Sequence, residues 1–432
     1  MLHGEIAPVK KDTFELTSMQ KTHLLEVQDF TEQGPGTIVR DFEALLNLIG
    51  DQGLPATPAH QLTIKTLETI NQRLTHPLTL NLKRALQKSY PHINGLYLLL
   101  RASGLSVIET SGKKVWIKMD RQTLESWRSL NEAERYFALL EAWWGRATEE
   151  MIGERKERFM TIPMKIQKFI EYLTKIGIKK IQHRDEGHML RYYPGLHNLA
   201  LMELFGLVSI SPAPRAQSQG WEPQHIAMTD WGQALVGSYI EFIMESLSSD
   251  AKLDSLIPAL AVLYDPIVGF AQWSQAVRPL IKEWRRDLEI AEFQFQPGPQ
   301  VFKVSLAKDC WRRIAIRGDA SMDDLAAAIL RAFDFDDDHL YQFSYQDRFG
   351  RVVEIDDGRL EEPDEISADQ VKVGNLPLTE NMRIHFLYDF GDNWEFTLET
   401  ERVNPDLKIK NPKVLEKHGK APEQYPEFNE DG

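Results

Sequence analysis

The sequence has few of the groups on which covalent or metal chemistry usually depends. It contains one cysteine, Cys310, in 432 residues. A single thiol cannot form an internal disulfide and cannot supply a thiolate-based zinc site. Cys310 stands beside Trp311 before a predicted strand, so we expect a small buried residue rather than a nucleophile. This cysteine usage favours a reducing, cytoplasmic environment.

Long apolar runs are also lacking. No run of 18 apolar residues occurs, and the first residues, MLHGEIAPVKKDTFEL, lack the apolar core of a signal peptide. We therefore expect no membrane insertion and no secretion. The 42% hydrophobic and 10% aromatic content is ordinary for a folded protein, and a chain of 432 residues predicts roughly two to four domains.

Motifs of phosphoryl-transfer enzymes are incomplete. The D-F-G triplet that starts at Asp389 and the H-R-D triplet that ends at Asp185 match two kinase signatures by letter. A kinase catalytic loop needs asparagine five residues after its aspartate, where this chain has Leu190, and no glycine-rich loop precedes either triplet. A Walker A motif is absent as well. The sequence indicates neither a kinase nor a P-loop motor.

Negative charge is concentrated in the last third of the chain. Residues 301–432 contain 17 Lys and Arg against 29 Asp and Glu, a net charge of -12 out of -14 for the whole chain. Acidic surface repels phosphate, so nucleic-acid contacts are expected only in the first two thirds.

The first two thirds read as helices that alternate with hairpins. TIVRDFEALLNLIG and QLTIKTLETINQRL have apolar residues at helical spacing, and INGLYLLLRASGL runs into the hairpin SVIETSGKKVWIKM. A similar order follows from IPMKIQKFIEYLTKIGI to the helix that ends near residue 245. After an extension over residues 1–36, we predict two winged-helix-like domains, 37–145 and 146–245. This region resembles the accessory winged-helix region attached to XPB-type helicases.

Basic residues in this region are candidate nucleic-acid contacts. Phosphate contacts usually come from lysine and arginine beside the recognition helix or in the wing. Scattered lysines more often mark a solvated face, and winged helices also dock proteins, so DNA binding through residues 37–245 and protein binding both stay open. The main candidates are Lys83, Arg84, Lys88, Lys113, Lys114 and Lys118, with a second run of Arg155, Lys156, Arg158, Lys165 and Lys168.

Adjacent tryptophans occur in YFALLEAWWGR. Phe137, Leu140 and Trp144 fall on one helical stripe, which predicts core packing. Stacking on nucleobases is the alternative, and it requires exposed rings.

The pattern changes near residue 296. Residues 246–295 form a predicted helical bridge punctuated by prolines, and QPGPQ then ends it. Short alternating strands surround one helix afterwards, in a β-β-α-β-β order. We predict a multidomain chain whose mainly α-helical part is followed by an α+β domain over residues 296–432, with an order that suggests the β-grasp fold.

Four ordered segments of this domain resemble a known family. They are WRRIAI, LAAAILRAFDF, DDDHLYQF and FLYDFGDNWEF. Together they are similar to the plasmid pRiA4b open-reading-frame-three family, whose members include a passenger protein of an insertion element. The resemblance implies a mobile-element context without implying catalysis, and we expect a protein of a bacterial or archaeal cell. The family often closes with P-P-E-D and paired glycines, whereas this chain has APEQYPEFNEDG, so the role of its tail stays open.

The segment FLYDFGDNWEF predicts a hairpin that serves the core. Two alternating strands join through residues 391–393, with a positive φ expected at Gly391 and backbone donors satisfied by Asp392 and Asn393. The aromatic residues of both strands are then expected to face the helix that carries Leu325, Ile329 and Phe333; they are Phe386, Tyr388, Phe390, Trp394 and Phe396.

An alternative hypothesis places a metal-binding site or a docking site for a basic partner in the same region. Carboxylates with one imidazole could bind magnesium or manganese for phosphoryl chemistry, or they could dock a basic partner. No diagnostic ligand spacing is present, and clustered acids usually mark a solvated face. The candidates are Asp336, Asp338, His339, Asp389, Asp392 and Glu395.

We favour a modular binding protein without catalytic activity or a required cofactor. In this interpretation a winged-helix-like platform contacts nucleic acid or protein, and the acidic C-terminal domain docks a protein partner. The alternative is a metal-dependent enzyme that uses the carboxylate cluster.

Overall fold

A computed structural model describes residues 16–31, 34–112, 114–154, 160–175, 190–212, 220–248, 265–360, 366–401 and 407–425. The chain divides into two compact units. The first comprises residues 1–108 and 116–291, and the second comprises residues 109–115 and 292–432. Within the described ranges, no helix is both long and apolar enough to cross a lipid bilayer.

The first part of the chain consists mainly of helices and short antiparallel strands. The strands are β1 (Leu54–Ala56), β2 (Ser106–Ser111), β3 (Lys114–Met119), β4 (Val208–Pro212) and β5 (Pro223–Met228), with a β1-β3-β2 sheet and a β4-β5 pair. The helices are α1 (Ser18–Val27), α2 (Ile38–Ile49), α3 (Ile64–Asn71), α4 (Pro91–Ala102), α5 (Arg121–Ser129), α6 (Glu132–Glu141), α7 (Ile162–Lys175), α8 (Leu196–Leu204), α9 (Asp230–Ser248) and α10 (Pro266–Val277).

Helix α2 shows how the sequence produces these elements. Its predicted apolar stripe, including Phe42 and Leu45, is buried. The helix begins after Thr37, whose hydroxyl donates a 2.8 Å hydrogen bond to Asp41. The buried Asp41 carboxylate also accepts hydrogen bonds from the backbone N–H and hydroxyl of Thr75, at 2.7 and 2.8 Å. The buried carboxylate is tolerated because Thr37 and Thr75 donate hydrogen bonds to both of its oxygens.

The paired tryptophans pack in the interior of the first unit. Trp143 and Trp144 are 0% and 2% exposed, and the Trp143 indole donates a 2.9 Å hydrogen bond to the Asn198 side chain. This confirms the packing prediction and leaves no exposed ring for nucleobase stacking. The helix-hairpin-helix order α4, β2, β3, α5 recurs as α8, β4, β5, α9, and the winged-helix assignment itself stays a prediction.

The second unit is built on a seven-stranded antiparallel sheet. Its order is β12-β7-β6-β11-β10-β8-β9. The α+β prediction is confirmed at this level, but the β-grasp comparison is not, since that fold has a parallel central pair and β6 and β11 pair antiparallel. The elements are β6 (Pro299–Ala307), β7 (Cys310–Arg317), α11 (Met322–Phe333), β8 (Tyr341–Gln346), β9 (Val352–Asp356), β10 (Arg383–Tyr388), β11 (Trp394–Glu401) and β12 (Lys413–His418).

Helix α11 and one face of this sheet form the core of the second unit. A reciprocal capping box of Ser321 and Asp324 starts the helix, and Asp334 in the left-handed conformation ends it. Phe333 packs edge-to-face on Phe396, with ring centroids 5.0 Å apart. Cys310 is buried, as predicted.

Candidate functional site

Strand register places several turns at one end of the seven-stranded sheet. Tyr388, the last residue of β10, lies opposite both Tyr341, the first of β8, and Trp394, the first of β11. Thr397 of β11 lies opposite Ser305 of β6, and the two strands are antiparallel. The β6–β7 turn therefore lies at the same end of the sheet as Tyr388 and Trp394. The segments before β8, between β10 and β11, and between β6 and β7 therefore lie near one another. We call this the acidic end of the sheet, defined by residues 307–309, 336–339 and 389–395.

The turn between β10 and β11 is stabilised differently from the prediction. Positive φ values occur at Asp389 (57°) and Asn393 (55°), whereas Gly391 does not have a positive φ. The Asp389 carboxylate accepts hydrogen bonds from the N–H groups of Gly391 and Asp392, at 2.8 and 3.4 Å. The prediction of a positive φ at Gly391 was wrong, as was the prediction that Asp392 and Asn393 satisfy the backbone donors. Aspartate and asparagine also tolerate the left-handed region, and it is the Asp389 carboxylate that reaches the N–H groups of the turn.

Aromatic residues of the same segment divide between core and surface. Phe386 and Tyr388 are fully buried, as predicted, but Phe390 is 46% exposed. The alternation ends because β10 stops at Tyr388 and the turn begins at Asp389. Phe390 therefore belongs to the surface of the acidic end.

Tyr388 organises the segment that precedes β8. Its hydroxyl accepts hydrogen bonds from the N–H groups of Asp338 and His339, at 3.2 and 3.3 Å. It also contacts the carbonyl of Asp336 and the Asp338 carboxylate, the latter at 2.9 Å. One hydroxyl thus holds backbone groups of three candidate residues, Asp336, Asp338 and His339.

A C-terminal strap, residues 419–425, crosses the acidic end from β12 to the segment before β8. At its start, the Cys310 thiol lies 3.4 Å from the carbonyl oxygen of Lys420. At its end, the Gln424 side chain accepts a 2.6 Å hydrogen bond from the N–H of Asp336 and donates one of 3.1 Å to Asp338. The Tyr425 hydroxyl donates a 2.6 Å hydrogen bond to Asp338, which lowers the pKa of that carboxyl. The divergent tail therefore has a structural role.

The predicted cluster is only partly brought together. The imidazole Nε2 of His339 lies 3.5 Å from an oxygen of Asp389 and 3.9 Å from one of Asp338. Asp336, Asp392 and Glu395 are exposed on the same end of the sheet, and within the described ranges their side chains form no hydrogen bond or ion pair with these three residues. Within the described ranges, no three His, Cys, Asp or Glu side chains are placed to hold a metal ion.

A surface cleft of about 910 Å³ lies between the strap and the acidic end. Three carboxylates and one ammonium group contribute to its wall, together with apolar side chains. Of these residues, the sequence prediction included only Glu395. The others come from two turns and the strap, which only the strand register brings together. The lining residues are Leu306, Ala307, Asp309, Cys310, Asn393, Trp394, Glu395, Lys420, Ala421, Pro422 and Glu423.

The predicted basic contacts of the first two thirds occupy different environments. Lys83, Arg84, Lys88 and Lys114 are exposed, Lys118 is partly buried, and Lys113 lies outside the described residues, as do residues 155–159 and 183–185. In the second predicted run of basic residues, the assignment of Lys165 as a nucleic-acid contact was wrong. Lys165 is 4% exposed, and its ammonium lies 2.5 Å from the Glu149 carboxylate. A buried, ion-paired lysine cannot serve as a phosphate contact.

Comparisons with known proteins match part of the second unit to one family. No curated protein matches this chain significantly. A protein of unknown function from Methanosarcina mazei Go1, solved by crystallography, is 23% identical over 28% of this chain and 70% of its own, with a TM-score of 0.25. Residues 301–425 match the family of plasmid pRiA4b ORF-3-like proteins.

Proposed function

We propose that this chain is a modular binding protein whose C-terminal domain docks a cationic segment of a protein partner at the acidic end of its sheet. The observation that carries this proposal is the cleft of about 910 Å³ whose wall and surroundings bear exposed carboxylates. Among the described residues, these carboxylates have no lysine or arginine within ion-pair distance. They are Asp309, Asp336, Asp392, Glu395 and Glu423.

Charge on the second unit supports docking of a cation. A net charge of -12 over residues 301–432 creates a field that accelerates encounter with a basic segment. Other acids of the unit are already neutralised, as in the bidentate pair of Arg313 with Glu401 and the pair of Arg359 with the buried Asp357. The carboxylates around the cleft keep their charge available for a partner.

Rigidity of the acidic end supports the same function. Tyr388, Gln424 and Tyr425 hold the segment before β8, and Asp389 holds the β10–β11 turn through its own hydrogen bonds. A surface whose backbone is held in place in advance loses less conformational entropy on binding. This rigidity favours the interpretation of the acidic end as a surface that binds a partner over its interpretation as an ordinary solvent-exposed surface.

The first unit, in this proposal, is a platform of two winged-helix-like domains, residues 37–145 and 146–245, that binds nucleic acid or protein. Exposed Lys83, Arg84 and Lys88 support nucleic-acid contact, whereas the net charge of -2 over residues 1–300 gives little general attraction for phosphate. The family resemblance supports a bacterial, mobile-element setting, and the single cysteine supports a cytoplasmic one. The alternative is a metal-dependent enzyme that uses the carboxylate cluster; within the described ranges no three His, Cys, Asp or Glu side chains are placed together to hold a metal ion.

Binding of a fluorescein-labelled decalysine peptide to the full chain, followed by fluorescence anisotropy at low salt, tests the docking proposal. We expect saturable binding that weakens as salt rises, since the contacts are between exposed charges. The double variant Asp336→Asn, Asp392→Asn should bind about tenfold more weakly, because each exposed ion pair contributes roughly 0.2–1 kcal/mol.

A matched control separates local contact from total charge. The double variant Glu354→Gln, Glu380→Gln also removes two exposed carboxylates of the second unit, away from the acidic end. Compared at about 0.1 M salt, where the Debye length is about 10 Å, it should keep decalysine affinity within about twofold of the unmodified chain, since surface charges away from the contact are then largely screened. Absence of binding, or equal weakening by both double variants, would overturn the proposal.

A further inference from the structure

We propose that the cleft is an arginine site, which takes the guanidinium side chain of an arginine within the docked segment of a partner protein. This rests on the proposed docking function and specifies the chemistry of its occupant. The cleft, of about 910 Å³, is a broad depression open to solvent, so a peptide segment has room to lie along it with one side chain in contact with its wall.

Chemically distinct walls of the cleft match the two parts of an arginine side chain. Leu306, Ala307, Ala421 and Pro422 offer apolar surface to its methylene stem. Asp309, Glu395 and Glu423 offer carboxylates to its charged end, against the single positive charge of Lys420. Three acidic side chains against one basic side chain give the wall of the cleft a formal charge of -2.

Trp394 favours arginine over lysine. A planar guanidinium stacks on an indole face and still directs its N–H groups to carboxylates at the ring edge. A lysine ammonium is compact and strongly hydrated, and it presents three donors from one atom, so it reaches fewer of the separated carboxylates. The presence of Trp394 in the wall with carboxylates from three different segments thus fits the geometry of arginine.

The tryptophan is held in place from the protein side. Its ring packs edge-to-face on Phe335, with centroids 4.9 Å apart, and its backbone lies opposite Tyr388 at the start of β11. Its indole nitrogen is buried and finds no acceptor among the described residues. The nitrogen edge of the ring therefore lies against the protein, and Trp394 contributes to the cleft through the rest of its ring.

Two peptides of nine residues test this inference, acetylated and amidated at their ends and labelled with fluorescein. One alternates glycine with arginine, and the other alternates glycine with lysine. We expect the full chain to bind the arginine peptide at least about fivefold more tightly, because stacking and forked hydrogen bonds are available to guanidinium alone. Anisotropy titrations at one salt concentration measure both affinities.

Variants of the cleft locate the preference. Glu395→Gln, Glu423→Gln should weaken the arginine peptide about tenfold and remove most of the preference, through loss of charge-assisted hydrogen bonds. Trp394→Phe keeps an aromatic ring against Phe335 and should weaken the arginine peptide about threefold, with little change for lysine, since phenylalanine is a poorer partner for cations. Asp336→Asn, Asp392→Asn should weaken both peptides alike and leave the preference intact.

The results separate this inference from the docking proposal. Decalysine binding without any arginine preference would leave docking standing and overturn the arginine site. A preference that survives Glu395→Gln, Glu423→Gln would also overturn it, because the guanidinium would then be recognised elsewhere. Failure of decalysine to bind would refute docking, and failure of the arginine peptide to bind would refute the arginine site.

Discussion

Removal of one hydroxyl group, in Tyr388→Phe, should loosen the acidic end without disturbing the core. The Tyr388 ring is fully buried among Phe335 and Phe386, and phenylalanine preserves that packing. The hydroxyl, however, accepts from the N–H groups of Asp338 and His339 and donates to acceptors of Asp336 and Asp338. These backbone donors lose their partner in the variant.

The expected loss in free energy of unfolding of the second unit is about 2 kcal/mol. A buried donor or acceptor left without a partner costs about 1–3 kcal/mol. Two donors are affected here, but the segment they belong to is partly exposed, so water replaces some of the lost hydrogen bonding. The loss in free energy of unfolding should therefore be closer to the cost of one unpaired buried group than to the cost of two.

Hydrogen exchange across a urea series measures this loss, because it reports on the two units separately where a single global signal would mix them. Peptides that cover residues 336–340 and strand β10 give the relevant free energies. Tyr345→Phe is the matched control: Tyr345 is a partly buried tyrosine of strand β8, and its hydroxyl has no hydrogen bond among the described residues. Equal stability of Tyr388→Phe and Tyr345→Phe would refute the proposed role of the hydroxyl.

Two further predictions concern buried ionisable groups of the first unit. Burial lowers the pKa of His197 to about 4, against about 6.5 when unfolded, so the unfolded chain takes up the proton first and stability falls as pH drops from about 6.5 to 4. Between pH 7 and 4.5 the unmodified chain should lose about 2–3 kcal/mol more than His197→Gln in urea unfolding, and equal losses would contradict this. Glu149→Gln removes the carboxylate beside the buried Lys165 ammonium and should destabilise the first unit by about 3 kcal/mol at pH 7. Glu171→Gln, a more exposed site on α7, is its control, and a loss no greater than in this control would contradict the buried ion pair.

Sequence periodicity was sufficient to locate most of the long elements. The stripe of α2 and the alternation in β10 and β11 are direct consequences of one buried face, so a local pattern reveals them. Strand β12 was missed, since KVLEKH lies at an edge of the sheet and is largely exposed, which leaves no apolar alternation to detect.

The candidate site was less accessible to sequence reasoning. Clustering of Asp338, His339 and Asp389 follows from the opposition of Tyr341 and Tyr388, two residues 47 positions apart whose pairing no local pattern encodes. The cleft depends in addition on the strap, which returns residues 420–423 to the turn after β6. The error at Gly391 has a different origin: glycine permits a positive φ but does not require one, and Asp389 and Asn393 adopt it instead.

The pairing of β6 with β11 has a consequence for synthesis on the ribosome. Val301 lies opposite Glu401, so about 100 residues must be translated before the inner edge of β6 acquires its neighbour. At about 5–20 residues per second, the β6–β7 hairpin waits roughly 5–20 s with that edge open. Unpaired strand edges template pairing with other chains. During this interval the nascent hairpin is the part of the second unit most exposed to aggregation, and slower translation over residues 308–400 should lower the yield of folded protein.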